Sequence, residues 1–550
     1  MALDLDGGPY VQCTSRTLFV TNTVRAAAER VRSISSQKVI MDTASTTITR
    51  SSAGASLYSM RWMVAAVVLV ANTMDLLDAT IVNVAGPSIH RALGGGASTI
   101  QWLSAAYTLA FAVLLIAGAR LGDIFGRRRM FLLGLVGFVV FSAACAVAQD
   151  IGMLIAFRAL QGGFGALMIP QGFGLLKEVF DDEELGRATR LFGPSTGLAM
   201  LGAPILAGAL IDANLWNVGW RLVFLINVPI GLMALPFAVR SLPSGVSHPS
   251  LKLDIGGVWL VGIALVAIIY PLIQGQAAGW PAWTFALLAA GAILLYVFVR
   301  YERRRSHNAL IEPSLFANRM YLSGIAVMLS LFGAFGGLLL CVSLYGQLGE
   351  GWSPIHAGLT LTPMVVGMIG GMLVSGVLVK KLGRHLLHIG IVFIAAGTTA
   401  LALTLTGVPS ASTWDLVPGL VLVGAGVGIV LGQLIQFILA AVRMNEVGSA
   451  SGVMEASQQL STSLGVAVLG TIFFAMFKHH PATDALRITS WVCLVPLTAA
   501  FIFVFLLPRH VARSESSAFT RDSVPLREQS SPTPSERHSE TDDATGALSR

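Results

Sequence analysis

The stretch GARLGDIFGRRRM, Gly118 to Met130, decides how this chain folds. It holds one carboxylate, Asp123, followed by three consecutive guanidiniums, Arg127, Arg128 and Arg129, and it is punctuated by Gly118, Gly122 and Gly126. On either side lie apolar runs near 100–119 and 130–148. A bilayer core is crossed by about 20 apolar residues in helix, so each run is long enough to span. A short basic turn between two spans is what the inner face of a membrane selects.

Working outward, fourteen runs are long enough to cross, near 61–84, 100–119, 130–148, 151–176, 190–211, 222–239, 255–273, 282–300, 321–345, 357–379, 386–406, 416–442, 456–477 and 488–507. Backbone polar groups in lipid must be satisfied within the segment, and the runs are too long for barrel strands, so helices are expected throughout. Composition agrees. Of 550 residues, 54% are hydrophobic and 12% charged, where a soluble domain carries about 25% charged residues. The mean hydropathy is +0.73. Packed as a soluble globule, the chain would leave more apolar surface than its polar side chains can cover.

The net charge of +7 does not mark a nucleic-acid partner, because Lys and Arg sit in short clusters between apolar runs and not along one basic face. With the N-terminus inside, eighteen Lys and Arg fall in inner loops, and only Arg91, Arg221, Lys478 and Arg487 fall outside. That bias places both termini in the cytoplasm. It also supports the span count, because one missed span would scramble the alternation.

The tails differ. Residues 1–59 are rich in Ser and Thr, with no run able to span, and residues 509–550 are rich in Ser, Pro and charge; both are expected to be disordered cytoplasmic segments. Arginines among the first residues suggest a transit peptide, against which stand Asp4, Asp6, Glu29 and Asp42, and Met41 and Met60 are alternative starts. Cys145, Cys341 and Cys493 fall in apolar runs and Cys13 in the tail, without disulfide or metal spacing.

An internal repeat is legible. The segment Ala119-Arg-Leu-Gly-Asp123-Ile-Phe-Gly126-Arg127 after the second span recurs as Gly376-Val-Leu-Val-Lys380-Lys-Leu-Gly383-Arg384 after the tenth. Secondary transporters are commonly built from duplicated bundles. Copies eight spans apart imply two six-helix bundles, residues 60–240 and 306–508, with two extra helices in a linker over 241–305.

The Gly118–Met130 segment resembles the signature loop of the major facilitator superfamily, G-x-L-x-D-R-x-G-R-R/K. Asp123, Gly126, Arg127 and Arg128 match; Ala119 stands for Gly and Ile124 for Arg. The resemblance implies that this loop latches the inner ends of the bundles in an outward-open state; the plainer alternative is a basic topological turn. Around Arg158, the run with Gln161, Gly162 and Gly165 is similar to the fourth-helix motif linked with proton transfer. An Arg at membrane depth otherwise serves as one half of a structural salt bridge. The fifth span, LFGPSTGLAMLGAPILAGALID, resembles the antiporter motif through Gly197, Gly202, Pro204 and Gly208, with Ala203 and Ala207 where Gly is usual. A small-residue helix that merely packs closely is the alternative.

The first span contains Asp75 and Asp78, three apart and therefore on one helix face. LDATIVNVAGPSI from Leu77, GWRLVFLINVPIGL (Gly219 to Leu232) and GSASGVMEASQQLSTSLGVAVLG (Gly448 to Gly470) resemble segments of the fourteen-span drug:proton antiporters of that superfamily. The resemblance covers roughly residues 60–510. It implies a multi-pass, monomeric protein of the cell membrane, which exports small organic molecules in exchange for protons by alternating access. No cofactor beyond the proton gradient is expected. Asp78, aided by Asp75 and Arg158, is the expected coupling site, with Asp78 at the motif position. Gln161, Glu455 and Gln458 are candidate cavity residues, although Glu455 and Gln458 also suit an interfacial helix start.

No Walker sequence, nucleophile elbow or HExxH occurs, so neither ATP hydrolysis nor hydrolytic chemistry is expected. His385, His388, His479 and His480 are expected as exposed loop and helix-end residues, not metal ligands. The competing readings are an uptake carrier or single-metabolite exporter of the same fold and, from another class, a helical channel or receptor.

Overall fold

The computed structural model describes residues 60–96, 98–189, 191–244, 253–305, 310–440, 442–443 and 446–507. Some side chains within 182–201, and those of 380, 432, 447 and 448, are outside that description. Both tails, Cys13 included, lie outside the described residues. Among the described residues the regular structure is entirely helical.

Among the described residues, thirteen helices are long and apolar enough to cross a membrane. In chain order they are α1 (Met60–Leu93), α2 (Ser98–Phe125), α3 (Arg127–Val147), α4 (Ile151–Val179), then α6 (Gly219–Ser241), α7 (Ile255–Ala277), α8 (Ala282–Arg304), α9 (Arg319–Gly349), α10 (Pro354–Val379), α11 (His385–Thr404), α12 (Thr413–Ala440), α13 (Ser449–Phe477) and α14 (Ala482–Val504). The fifth expected span is present as α5, Phe192–Ala213, 22 residues, of which Gly202–Ala213 is counted as a shorter apolar helix. The architecture is two six-helix bundles with α7 and α8 between them. Helix α1 runs on to Leu93, well past the expected end at 84. A short helix, Asp182–Thr189, occupies what the sequence reading left as a loop; its Glu184 pairs with Arg61 at the start of α1.

Local chemistry explains where the helices begin. Asp150 caps α4 by accepting from Met153 N at 2.9 Å, and Asn318 caps α9 by accepting from Met320 N and Tyr321 N at 3.1 Å; such caps satisfy donors that a helix start leaves orphaned. The repeat seen in the sequence marks two equivalent turns. Gly126 has φ +95° and Gly383 φ +51°, and each amide closes on the carbonyl four residues back, Gly122 at 2.9 Å and Val379 at 3.0 Å. Only glycine adopts that backbone without strain, which is why both copies keep it before the Arg.

Large apolar side chains such as Val140, Leu232, Trp259, Phe285, Leu373 and Val495 are exposed on the outside of the helices. A protein whose solvent is lipid gains nothing by hiding them. Helix α7 packs against α2 and α13, where Leu265, Ile269 and Ile273 meet Ala105, Leu109 and Ala467. The linker hairpin therefore covers the seam along which the bundles adjoin.

Candidate transport pathway

Five helices of the first bundle converge on one buried polar network. Asp78 on α1 and Arg158 on α4 form an ion pair with both side chains 0% exposed. The second carboxylate oxygen of Asp78 accepts from Gln161 Nε2 at 2.9 Å and from Asn227 Nδ2 of α6 at 2.7 Å. Ser142 Oγ of α3 accepts from the same two amides, at 2.7 and 3.1 Å. Arg158 donates from Nε to the Leu103 carbonyl of α2 at 3.2 Å and from Nη1 to Gln161 Oε1 at 2.8 Å. Its guanidinium lies 4.2 Å from the centre of the Tyr107 ring, a cation–π contact strengthened by desolvation. Every oxygen of Asp78 thus faces a donor. The carboxylate side of the pair is met in this way, whereas Arg158 Nη2 and Asn227 Oδ1 find no partner among the described residues, which adds to the cost of burying the pair.

Asp75, one turn earlier, is differently placed. It is 3% exposed, and the hydrogen bond drawn to its carboxyl comes from the Tyr107 hydroxyl. Among the described residues it has no ion pair within bonding distance. Like charge acts on it from Asp78 and from Glu455 of α13. Glu455 is half-buried and takes a hydrogen bond from Gln459. Its neighbour Ala456 packs into the apolar cluster that contains Tyr107 and Met74, so the second bundle reaches this part of α1. Gln458 is half-buried on the same helix.

A narrow gap of about 20 Å³, room for a water-sized group, lies between the bundles, lined by Thr80 of α1, Pro204 of α5, Phe335 and Leu339 of α9, Met364 and Met368 of α10, and their neighbours. Its walls are apolar apart from the Thr80 hydroxyl, and Thr80 stands two residues from Asp78. Inner denotes the ends bearing Arg127–Arg129 and outer the opposite ends, the orientation expected from the charge bias. At the opposite, outer ends the bundles touch. Ser343 Oγ donates to the Asn83 carbonyl at 2.9 Å and Gln347 Nε2 to the Val84 carbonyl at 2.9 Å. Helix α5 meets α10 so closely that a Cβ on Gly208 would stand 2.3 Å from Ile355 Cα, and one on Gly358 would stand 2.3 Å from the Pro204 carbonyl. Asp212 also accepts from Ile355 N at 3.1 Å. Gly208 and Pro204 are therefore contact points between bundles. Gly202 meets nothing within 4 Å, and the surroundings of Gly197 lie outside the described residues.

In the signature loop, Asp123 pairs with Arg127 at 3.2 Å, and Arg127 also approaches Glu178 of α4 at 3.8 Å. Arg128 donates to Ser244 Oγ at 3.0 Å. The Asp123 and Arg127 contacts stay within the first bundle, whereas Arg128 reaches Ser244 at the start of the linker. The loop residue that reaches the second half is Arg120, 3.8 Å from Glu312. One histidine departs from the reading: His388 is buried between the Phe501 and Phe505 rings, at 4.6 and 4.5 Å, because the inner end of α11 packs on α14.

The network gathers Asp78, Arg158 and Gln161, which the sequence had singled out, and adds Asn227, Ser142 and Tyr107, which it had not. Asn227 was visible only as a polar residue inside the quoted sixth-helix segment. Tyr107 and Ser142 carry no signal that separates them from packing residues.

A buried charge network within one of two repeated helical bundles is the architecture of a polytopic membrane transporter. The chain belongs to the Major Facilitator Superfamily, whose family model matches residues 68–254 and 255–466. It is 48% identical over 429 residues to a probable actinorhodin transporter of Streptomyces coelicolor, covering 77% of this chain and 74% of the relative. It is 33% identical over 416 residues to a tetracenomycin C resistance and export protein of Streptomyces glaucescens, covering 75% and 76%. The fold is similar to that of an auto inhibited POT family peptide transporter, with TM-score 0.59, 13% identity and coverage of 80% of this chain and 96% of that one. The chain is thus a multi-pass transporter of that superfamily, similar to relatives named for export and resistance.

Proposed function

We propose that the protein exports small, largely apolar organic molecules across the cell membrane by proton antiport through alternating access, with both termini cytoplasmic. The relatives are named for export and resistance, which supports the direction. The apolar gap with its Met and Phe lining supports the substrate class. It acts as a monomer with the proton gradient as energy source and takes no cofactor. Its two bundles, 60–240 and 306–508, rock about the gap while the 241–305 linker spans the seam.

The observation that carries the coupling is the contrast between two carboxyls on one helix. Asp78 is matched by a guanidinium and two amides, so its charge is balanced in every state that keeps the network. Asp75 has one hydroxyl donor, and an unbalanced charge at membrane depth costs about 2.5–3.5 kcal/mol on insertion scales. It is therefore neutral while sealed and ionised when water reaches it. In this reading Asp75 exchanges the proton, and the Asp78–Arg158 pair, joined to it through Tyr107, holds the site in register. Proton entry from outside accompanies the outward opening; release inside follows closure of the α5–α10 and α1–α9 contacts.

The test is dye flux into inverted vesicles, with a neutral anthraquinone and the cation ethidium as probes, with and without an imposed pH gradient. Accumulation that follows the gradient and collapses with a protonophore is expected. Uptake independent of the gradient, or currents far above carrier rates, overturns the proposal.

A further inference from the structure

Away from the gap, the inner ends of the linker helices hold a second pair of buried carboxyls. Asp254, at the start of α7, is 5% exposed and Glu302, near the end of α8, is 0% exposed. Asp254 Oδ2 and Glu302 Oε1 each lack a hydrogen-bond donor among the described residues. Both oxygens stand 2.8 Å from the point where a Cβ on Gly257 would lie, and the two carboxyls are within hydrogen-bonding reach of each other. Two ionised carboxylates so placed repel, and one proton held between them turns that repulsion into a hydrogen bond.

The remaining groups around the pair are accounted for. Tyr301 Oη donates to Asp254 Oδ1 at 3.0 Å. Arg305 stands 3.3 Å from Asp254 Oδ2 and lies over the Tyr301 ring at 4.6 Å. It offsets one of two negative charges and leaves the other. The other oxygen of Glu302, Oε2, is spent on the next segment, accepting from Ile311 N at 3.1 Å. The adjacent residue, Glu312, is where three parts of the chain meet: its carboxylate faces Arg120 at the inner end of α2, and its amide approaches Ser449 Oγ at the inner end of α13 at 3.5 Å.

We propose that Glu302, packed against the Arg305-paired Asp254, is a second proton-binding site, outside the substrate path, which docks the Ile311–Glu312 turn and so sets how firmly the inner ends of the two bundles are joined. The docked pair binds one proton more than the released, water-exposed carboxyls. Docking is therefore favoured at low pH and weakens as pH rises. Loss of the proton pushes Glu302 from Asp254, frees the Ile311 amide and takes Glu312 from Arg120. The inner closure then loosens as the inner compartment becomes alkaline. This site does not depend on Asp75 or on proton antiport.

Hydrogen–deuterium exchange of the full-length protein in lipid nanodiscs tests it, with D2O as probe and rates corrected for intrinsic pH dependence. The corrected exchange of amides 310–318 is expected to be at least about tenfold faster at pH 9 than at pH 6, the change that one proton of linkage gives per pH unit. In Glu302→Gln, whose amide donates to Asp254 without titrating, exchange stays slow at both values. Asp254→Asn serves the same purpose if the first variant does not accumulate. A wild-type rate that is flat after correction overturns the proposal, as does the same acceleration in either variant. An unchanged pH response in Asp75→Asn supports the independence of the two sites.

Discussion

Replacing Asp78 with Asn separates structural charge balance from proton exchange. In the wild type, Arg158 is fully buried and keeps its charge against the Asp78 carboxylate. Asn removes that charge and brings an NH2 group into a site where Arg158, Gln161 and Asn227 already supply donors. Arg158 retains only the Leu103 carbonyl, Gln161 Oε1 and the Tyr107 face. Breaking a buried pair from one side costs about 3–5 kcal/mol, and here a donor facing a donor adds about 1–3 kcal/mol. The surviving neutral contacts return part of it, so a net loss of about 3 kcal/mol is expected. Asp75→Asn keeps an oxygen for the Tyr107 hydroxyl and loses no charge partner, so it costs about 1 kcal/mol or less.

The assay is thermal unfolding in detergent, followed by size-exclusion fluorescence, beside gradient-driven dye flux at matched expression. Asp78→Asn is expected to melt well below wild type, and Asp75→Asn close to wild type with coupled flux abolished. Adding Arg158→Met to Asp78→Asn removes the orphaned charge at similar volume and is expected to recover more than half of the loss. Equal melting of the two single variants, or a double variant less stable than Asp78→Asn alone, refutes the assignment of charge balance to Asp78. Undiminished gradient-driven flux in Asp75→Asn refutes its role in proton exchange.

Other outcomes follow from single contacts. Tyr107→Phe leaves the ring under Arg158 but deletes the donor to Asp75; a bond worth about 1 kcal/mol predicts about fivefold slower coupled flux with unchanged equilibrium dye binding, and an unaltered rate would detach Tyr107 from coupling. Gly208→Val places side-chain atoms where Ile355 Cα already lies, with overpacking worth about 1–3 kcal/mol. The outer ends then part, and a Cys at Thr80 becomes more reactive to maleimide from outside; unchanged labelling would mean that α5 and α10 are not a gate. For topology, outside reagents should modify Cys at Gly279 and Val408, and spare Cys at Arg128, in a cysteine-free background. The opposite pattern reverses the orientation.

Much of the fold was legible because a membrane makes the problem local. Each span must close its own backbone hydrogen bonds, so length and apolarity alone locate it. The equivalence of Gly126 and Gly383 was also readable, because a turn at positive φ demands glycine in both copies. Asp78, Arg158 and Gln161 stood out since polar residues are costly in apolar runs and seldom sit there without a partner.

What the sequence determined by itself was therefore the number and order of the helices, the turns between repeats and the charged residues that must be answered somewhere. What answers them was decided by the tertiary structure. Asn227 and Ser142 complete the Asp78 site from α6 and α3, Tyr107 joins it to Asp75 from α2, and Asp254 meets Glu302 from the far end of the linker hairpin. The physical reason is rotation. A helix buried on most sides presents polar groups in several directions, and hydropathy sets its depth without setting which face meets which neighbour. Packing of the small-residue surfaces settles that angle, and with it whether a carboxyl meets an arginine, a tyrosine or another carboxyl.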